Sequence, residues 1–482
     1  MQNHLVFNPY LPLWEYVPDG EPHLFNGRVY IYGSHDVPQG TAYCMGDYVC
    51  WSADENDLSS WRYEGVIYRR TDDPSNTDGK YKLFAPDVCQ GKDGRYYLYY
   101  GLSKVQSIGV AVSDTPAGHY RFLSNLLLPN GQILNTDSGY GIPFDPAVYT
   151  ENDEVWLYYG FGLNPPHRNI SSPLGAYVVK LNADMMHAAS EPVLLVPSEK
   201  DPLSSFQAHP FLEAPSMRKL RGRYYFIYSS VQGHELCYGI SDSPEKPPVY
   251  QGVLISNGDI GLEGHESEDK SVTYLGNNHG SILKLKDKHY IFYHRHTHGT
   301  QFSRQGCAEE IQLRSDGSIP QAEITSCGLN NGPLPARGEY PAAIACALHG
   351  SEGAKHFSSK VLKTDADACI FQDSQVNGTS AEVYIANLRD QSGCGFKYLE
   401  FDGTETSCAI EVRNHFEGII QLHMDEENSD AWAEFSVSAQ TNWHWLNAEI
   451  KPVQGKHAIY FTFRGKGACD MRAFRFESSS CN

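Results

Sequence analysis

Five places in the 482-residue chain set an ionisable side chain just ahead of an aromatic strand. They are Asp19 in VPDGEP, Asp87 in FAPDV, Asp145 in PFDPAV, Glu213 in FLEAPS and His279 in NNHGS. Each lies 7 to 9 residues before the start of a similar run: GRVYIYGSHD, GRYYLYYGLS, DEVWLYYGFG, GRYYFIYSSV or DKHYIFYHRH. Turn acids scattered by chance would not keep that register five times. Four carboxyls and an imidazole brought together repel one another unless they share protons, hold a cation or meet a polar substrate. No Ser or Cys nucleophile motif accompanies them. The chemistry they suit is cleavage of a glycosidic bond, in which a protonated carboxyl assists the leaving oxygen and an ionised one acts on water or on the sugar.

Something must bring these residues to one point. The runs start at Gly27, Gly94, Asp153, Gly222 and Asp287, at intervals of 67, 59, 69 and 65 residues. A turn followed by aromatic and β-branched residues marks a buried strand. Its recurrence at a long, nearly regular period marks a repeat architecture. No helical pattern fills the gaps, so each repeat reads as a small antiparallel sheet, and five of them make a five-bladed β-propeller. Equivalent positions of the innermost strands then converge on the central axis. Composition agrees, with 12% aromatics, 31 Tyr, 43 Gly and 27 Pro favouring short strands and tight turns.

A net charge of −20 argues against nucleic acid or an anionic membrane as partner, and no stretch of 18 apolar residues is present. The start, MQNHLVFNPYLP, has no basic segment followed by an apolar one, which leads to the expectation of a cytoplasmic protein. Twelve Cys without a C-x-x-C pair are then expected as free thiols, with Cys44–Cys50 and Cys307–Cys327 the pairs open to oxidation.

Residues 1 to about 325 resemble glycoside hydrolase family 43 through five ordered motifs: NPYLPLWEYVPDGEPHLFNGRVYIYGSHD, FAPDV, FDPAVYTENDEVWLYYG, FLEAPSMRKLRGRYYFIYS and NNHGSILKLKDKHYIFYHR. The resemblance implies a five-bladed propeller that hydrolyses arabinofuranosyl, xylosyl or arabinan linkages with inversion. It implies Asp19 as the general base, Asp145 as the residue that raises the pKa of the acid, and Glu213 as the general acid. His279 matches an axial His that contacts a cation, calcium or another, or its water. An ionised Asp145 beside Glu213 would keep the latter protonated. Asp19 and Glu213 would stand roughly 6.5–9.5 Å apart to admit water. Asp87 and Phe84 match substrate-side positions, Phe84 as a sugar platform or as plain core. One of Arg295 and Arg304 is expected to reach the substrate, with Arg304 favoured. After Asp19 the chain reads G-E-P-H, so Glu21 competes for the base. The count to Phe25, six residues from Asp19 and four from Glu21, favours Asp19.

Residues 326–350, rich in Gly, Pro and Ala, read as a linker that packs along the propeller. From 351 to 482, short alternating strands such as KYLEFDG, GIIQLHMD and HAIYFTFRG read as a β-sandwich of the jelly-roll kind. This part resembles a family 6 carbohydrate-binding module. That implies Trp443 as a sugar-stacking residue, Trp445 as a core residue and a structural calcium, while Asp470 replaces an Asn common in such modules.

The combined expectation is an all-β, inverting exo-glycosidase needing no cofactor for its chemistry. Its substrates would be plant-wall oligosaccharides carrying terminal α-L-arabinofuranosyl or β-D-xylosyl groups. Galactofuranosidase or galactanase activity is the alternative within the family. A non-catalytic sugar-binding propeller, or a structural or protein-interaction one, would lack an acid, and all three acids are present. The sequence leaves the oligomeric state open.

Overall fold

The computed structural model describes residues 5–164, 170, 172–198, 204–354, 367–373 and 382–478. Residues 21–311 form five antiparallel sheets. Blade one consists of Glu21–Phe25, Arg28–Tyr32, Tyr48–Asp54 and Asp57–Tyr68, and the next three blades repeat the four-stranded meander. Their first strands are Asp87–Gln90, Ala147–Glu151 and Phe211–Leu220, and that of the three-stranded fifth blade is Ile282–Leu285. First strands touch first strands around the ring, so they surround the axis.

The second strands explain why each repeat reads as a continuous aromatic run. Their side chains alternate between two faces, and both faces are covered by a neighbouring blade. In blade two, Tyr96, Leu98 and Tyr100 pack on Tyr30, Tyr32 and Tyr48 of blade one. Tyr97 and Tyr99 face the other way, against Val148, Leu157 and Tyr159 of blade three. The same sharing produces the other inter-blade cores. Each fully buried side chain of this size contributes about 1.5–3 kcal/mol. The first hairpin turns on Asn26 (φ 51°) and Gly27 (φ 76°), as a two-residue turn matching the strand twist requires.

Closure of the ring uses the start of the chain. The Tyr10 N–H donates to the Gly306 carbonyl at 3.2 Å. The Asn8 side chain donates to Ala308 O (3.1 Å) and accepts from Ala308 N–H (2.9 Å), imitating a strand partner for the blade-five edge.

The second unit is a two-sheet sandwich. One sheet runs in the order Leu334–Pro335, Gly393–Asp402, Gln454–Lys466, Glu417–Met424, Ala433–Val437. The other runs Cys369–Gln372, Val383–Leu388, Cys469–Ser478, Glu405–Asn414, Gln440–Glu449. The stretch expected to be a linker belongs to this sandwich. Leu334–Pro335 and Ala347–His349 pair with Gly393–Asp402, and Gly338–Pro341 pairs with Cys469–Ser478. Its apolar residues Leu334, Tyr340, Ile344 and Leu348 enter the common core with Phe396, Phe461 and Phe474. The strands are two to four residues long, too short to show alternation in sequence.

Trp443 lies with Arg413 and Arg472 at 4.6 and 4.7 Å from its ring, and Arg413 is itself tied to Asp470 at 3.0 Å. Trp445 is half-buried under Arg475 on an edge strand, so it is not the core residue expected. The eleven described cysteines, including Cys44, Cys50, Cys307 and Cys327, are free and buried, and Cys481 lies outside the described residues.

The two units share a buried ionic joint. Lys397 of the sandwich places its Nζ 2.9 Å from both Asp259 and Glu323 of the propeller side, and the Tyr398 hydroxyl donates to Glu323 at 2.5 Å. Replacing Lys397 by Ala leaves the fully buried Asp259 without its cation, and the expected cost is about 3–5 kcal/mol. Urea unfolding followed by fluorescence should show that loss. Asp259→Asn in the Lys397→Ala background should recover part of it.

Candidate active site

Strand register sorts the axial side chains into two tiers. Glu21 pairs with Tyr32, Asp87 with Tyr99 and Ala147 with Tyr158, which sets these three at one level. Ser216 and Ser281 join that level, since their hydroxyls meet at 2.8 Å and Ser216 also donates to Glu21 at 3.2 Å. Two residues earlier in the chain stand Asp19, Ala85, Asp145 and His279. Glu213 stands three before Ser216, because a bulge inserts an extra residue there. These five upper-tier residues line a cavity of about 220 Å³ with Tyr43, Cys44, Phe84, Phe144, Phe161, Asn277 and Arg304.

The lower tier is cross-linked from within, with Glu21 Oε1 its one buried oxygen lacking a partner among the described residues. Arg218 reaches across from blade four to Glu21 at 2.5 Å and donates its Nε to the Ile282 carbonyl of blade five at 3.0 Å. His23 meets Asp87 at 2.6 Å, and Asp87 accepts the Val148 N–H of blade three at 2.8 Å. All five blades are thereby tied by a polar axle beneath the cavity. Glu21, the competitor for the base, is a member of this axle, bound to a guanidinium and away from the cavity wall. Asp87, expected beside the substrate, is likewise one tier too low. Blade two contributes Ala85 to the cavity in its place.

Backbone strain aims the upper tier. Asp19 (φ 58°), Asp145 (φ 49°) and Ala214 (φ 61°) all sit in the left-handed region, which Asp tolerates and Ala does not favour. The Ala214 N–H turns toward Asp145 as a consequence. Asp19 is fixed by two partners. Its N–H donates to His294 Nδ1 at 3.2 Å, and its Oδ1 accepts from Arg304 Nη1 at 2.8 Å. His294 Nε2 lies 2.8 Å from the Asn277 carbonyl, which only an N–H can satisfy, and its Nδ1 faces both the Asp19 N–H and Asp19 Oδ1, each at 3.2 Å. Arg295 is turned toward Cys307 and the Ala345 carbonyl, which leaves Arg304 as the arginine of the cavity.

The carboxyls separate electrostatically. Burial works to raise Asp19, but the Arg304 charge overrides it and holds Asp19 well below the usual carboxylate range. Burial first, then the Asp19 charge, push Glu213 up to about 7. Burial and the charge of Glu213 push Asp145 well above its ordinary value. The charge that faces Glu213 is thus that of Asp19, where an ionised Asp145 was expected. Asp145 and Glu213 together retain a proton.

His279 places its Nδ1 3.6 Å from Asp145 and 4.0 Å from Asp19, and burial lowers it to about 4, so the ring is neutral. Among the described residues, two trios of His, Cys, Asp or Glu converge closely enough to cage an ion: Glu21–His23–Asp87 and His209–Glu235–Cys237. Neither includes His279 or lies in the sandwich. Phe84 lines the cavity edge-on to Phe144 (5.5 Å), which in turn meets Phe161 (5.2 Å). Tyr43, Cys44, Phe144, Phe161 and Asn277 were not foreseen. Phe161 ends the second strand of blade three, within the repeated run DEVWLYYGFG, Asn277 and Phe144 stand beside His279 and Asp145, and Tyr43 and Cys44 come from a loop without a repeated motif.

Comparison with known proteins follows the same lines. The sequence model of "Glycosyl hydrolases family 43" matches residues 43–319. A xylosidase/arabinosidase of Thermoclostridium stercorarium is 48% identical over 97% of this chain and 98% of its own length. A xylosidase/arabinosidase of Bacteroides ovatus is 31% identical over 64% of this chain and 96% of its own. Two solved structures share the fold. One is a family 43 arabinoxylan arabinofuranohydrolase of Bacillus subtilis in complex with cellotetraose (TM-score 0.52, 20% identity, 99% of this chain and 98% of that one). The other is a β-xylosidase/α-arabinofuranosidase from a compost metagenome in complex with xylotriose (TM-score 0.52, 27% identity, 65% and 96%).

An acid whose pKa is raised by folding costs stability once pH exceeds its ordinary value of 4.5. The loss grows up to about pH 7 and is constant above it. Glu213→Gln removes that cost. Its thermal unfolding midpoint should exceed the parent's at pH 8 and match it near pH 4.5, as measured by calorimetry.

Proposed function

Because the chain belongs to glycosyl hydrolase family 43, we propose that it releases single terminal α-L-arabinofuranosyl or β-D-xylosyl units from plant-wall oligosaccharides, with inversion at the anomeric carbon. The sugar class is supported by the similar xylosidases/arabinosidases of Thermoclostridium stercorarium and Bacteroides ovatus. Attack on chain ends is supported by the cavity. Its 220 Å³ is the space of about seven water molecules at ~30 Å³ each, which suits one monosaccharide, and the polar axle fills the channel beneath.

The observation that carries the assignment of roles is the parting of two carboxyls in one cavity. Asp19 is held ionised by Arg304, and Glu213 is held protonated up to about pH 7. In this reading Asp19 accepts a proton from a water whose oxygen attacks the anomeric carbon. Arg304 engages Oδ1, which leaves Oδ2 for that water. The bond from the anomeric carbon to the bridging oxygen breaks, and Glu213 gives its proton to that oxygen. Asp145 repels a second charge on the pair and so makes early loss of the proton costly. Phe84 offers a ring to the sugar, and the remaining N–H of Arg304 offers a donor to a hydroxyl.

On this basis kcat/KM should fall as pH rises through about 7, where Glu213 loses its proton. Glu213→Gln should abolish that limb and lower the rate on substrates with a poor leaving group by about 10²–10⁴-fold. Asp19→Asn should be at least as impaired, while Glu21→Gln keeps activity within tenfold. An inactive Glu21→Gln with an active Asp19→Asn would move the base to Glu21. Proton NMR of the first-formed sugar should show inverted configuration. Nitrophenyl arabinofuranoside and xyloside should be cleaved in preference to galactofuranoside.

A further inference from the structure

The stretch VPDGEPHLFNGRVYIYGSHD ends in a carboxylate that no role above absorbs. Asp36 is 1% exposed and spends both oxygens on the cavity wall. Oδ2 accepts the Arg304 Nε–H at 2.8 Å and the Arg304 backbone N–H at 3.1 Å. Oδ1 accepts Arg304 Nη2–H at 3.2 Å and the Cys44 N–H at 2.8 Å. Arg304 and Cys44 are thus gripped by one side chain. Tyr43, next to Cys44, covers the Arg304 guanidinium at 4.8 Å from its ring. A two-oxygen grip on Nε and Nη2 fixes the plane of a guanidinium. With that plane fixed, Nη1 has one direction left, and it is the direction of Asp19 Oδ1.

We propose that Asp36 is the positioning residue of the active site. It aims Arg304 at Asp19 and holds the Tyr43–Cys44 wall against the same guanidinium. It touches neither the water nor the sugar, and it acts through Arg304. The proposal rests on Asp19 being the base, and Asp19→Asn reads that assignment separately. If Asp19→Asn stays active, the base reading fails whatever Asp36 does.

The test is a double-mutant cycle in the full-length chain with a nitrophenyl pentoside. Asp36→Asn should lower kcat and raise KM in the pattern of Arg304→Ala, with kcat/KM down by about 10²–10³-fold. In the Arg304→Ala background, Asp36→Asn should cost less than about threefold more, because residues acting as one unit are not additive. The double variant removes the unpaired Asp36 carboxyl that Arg304→Ala leaves behind, so it should fold at least as well as Arg304→Ala, with circular dichroism and the unfolding midpoint as the check. Losses that multiply in the double variant would overturn the proposal. So would an Asp36→Asn enzyme with unchanged KM and a kcat reduced only by its unfolded fraction.

Discussion

The architecture depends on the compensation of charge on a buried axis. A propeller forces the first strands of its five blades together, so any ionisable group placed there leaves water with four neighbours beside it. This chain places such groups in two tiers and treats them differently. In the lower tier each carboxyl has a side-chain partner. Glu21 has Arg218, Asp87 has His23 and a backbone N–H, and the serines close the gap. In the upper tier three carboxyls meet one guanidinium, and that guanidinium is shared with Asp36. One guanidinium among three carboxyls above, and a partner for each carboxyl below, sets the cavity layer apart from the axle along the same strands.

That separation explains what the sequence made legible. Counting back from the turns found Asp19, Asp145, Glu213 and His279, and all four reach one cavity. The count misplaced Asp87 because it assumed equal turns. In blade one Phe25 pairs with Arg28 across two residues, whereas in blade two Gln90 pairs with Tyr96 across five. The longer connection moves the register by one residue and Asp87 stands one residue nearer its run than Asp19, so together they place the acid one tier down and bring Ala85 to the cavity. Glu213 errs in the opposite direction, and the bulge in its strand restores it. A tier is defined by hydrogen-bond register, and turn length and bulges alter register without altering composition.

The sandwich illustrates the same limit. Its long strands announce themselves by alternation, but Leu334–Pro335, Gly338–Pro341 and Ala347–His349 gain their strand character only from the edges they join. Pattern belongs to segments long enough to repeat it. Tyr43 and Cys44 belong to a third category. They come from a loop of blade one, and their place on the cavity wall is set by Asp36 and Arg304, far apart in sequence.

Arg304 also sets a compromise in the chemistry. A carboxylate bound to a guanidinium is a weaker base, and a base works best when its pKa lies near the working pH. With Asp19 as the proposed base, the pairing works against proton abstraction. Without it, however, burial would favour the protonated form of all three carboxyls, and no ionised carboxylate would share the cavity with Glu213. On the proposed roles, loss of intrinsic basicity is the condition for having a base at all. The compensation must come from geometry: a carboxylate with one oxygen occupied, a backbone held by His294, and a guanidinium whose direction is fixed from behind. For that reason the precision of Arg304, rather than its charge alone, is what the cavity is built to maintain.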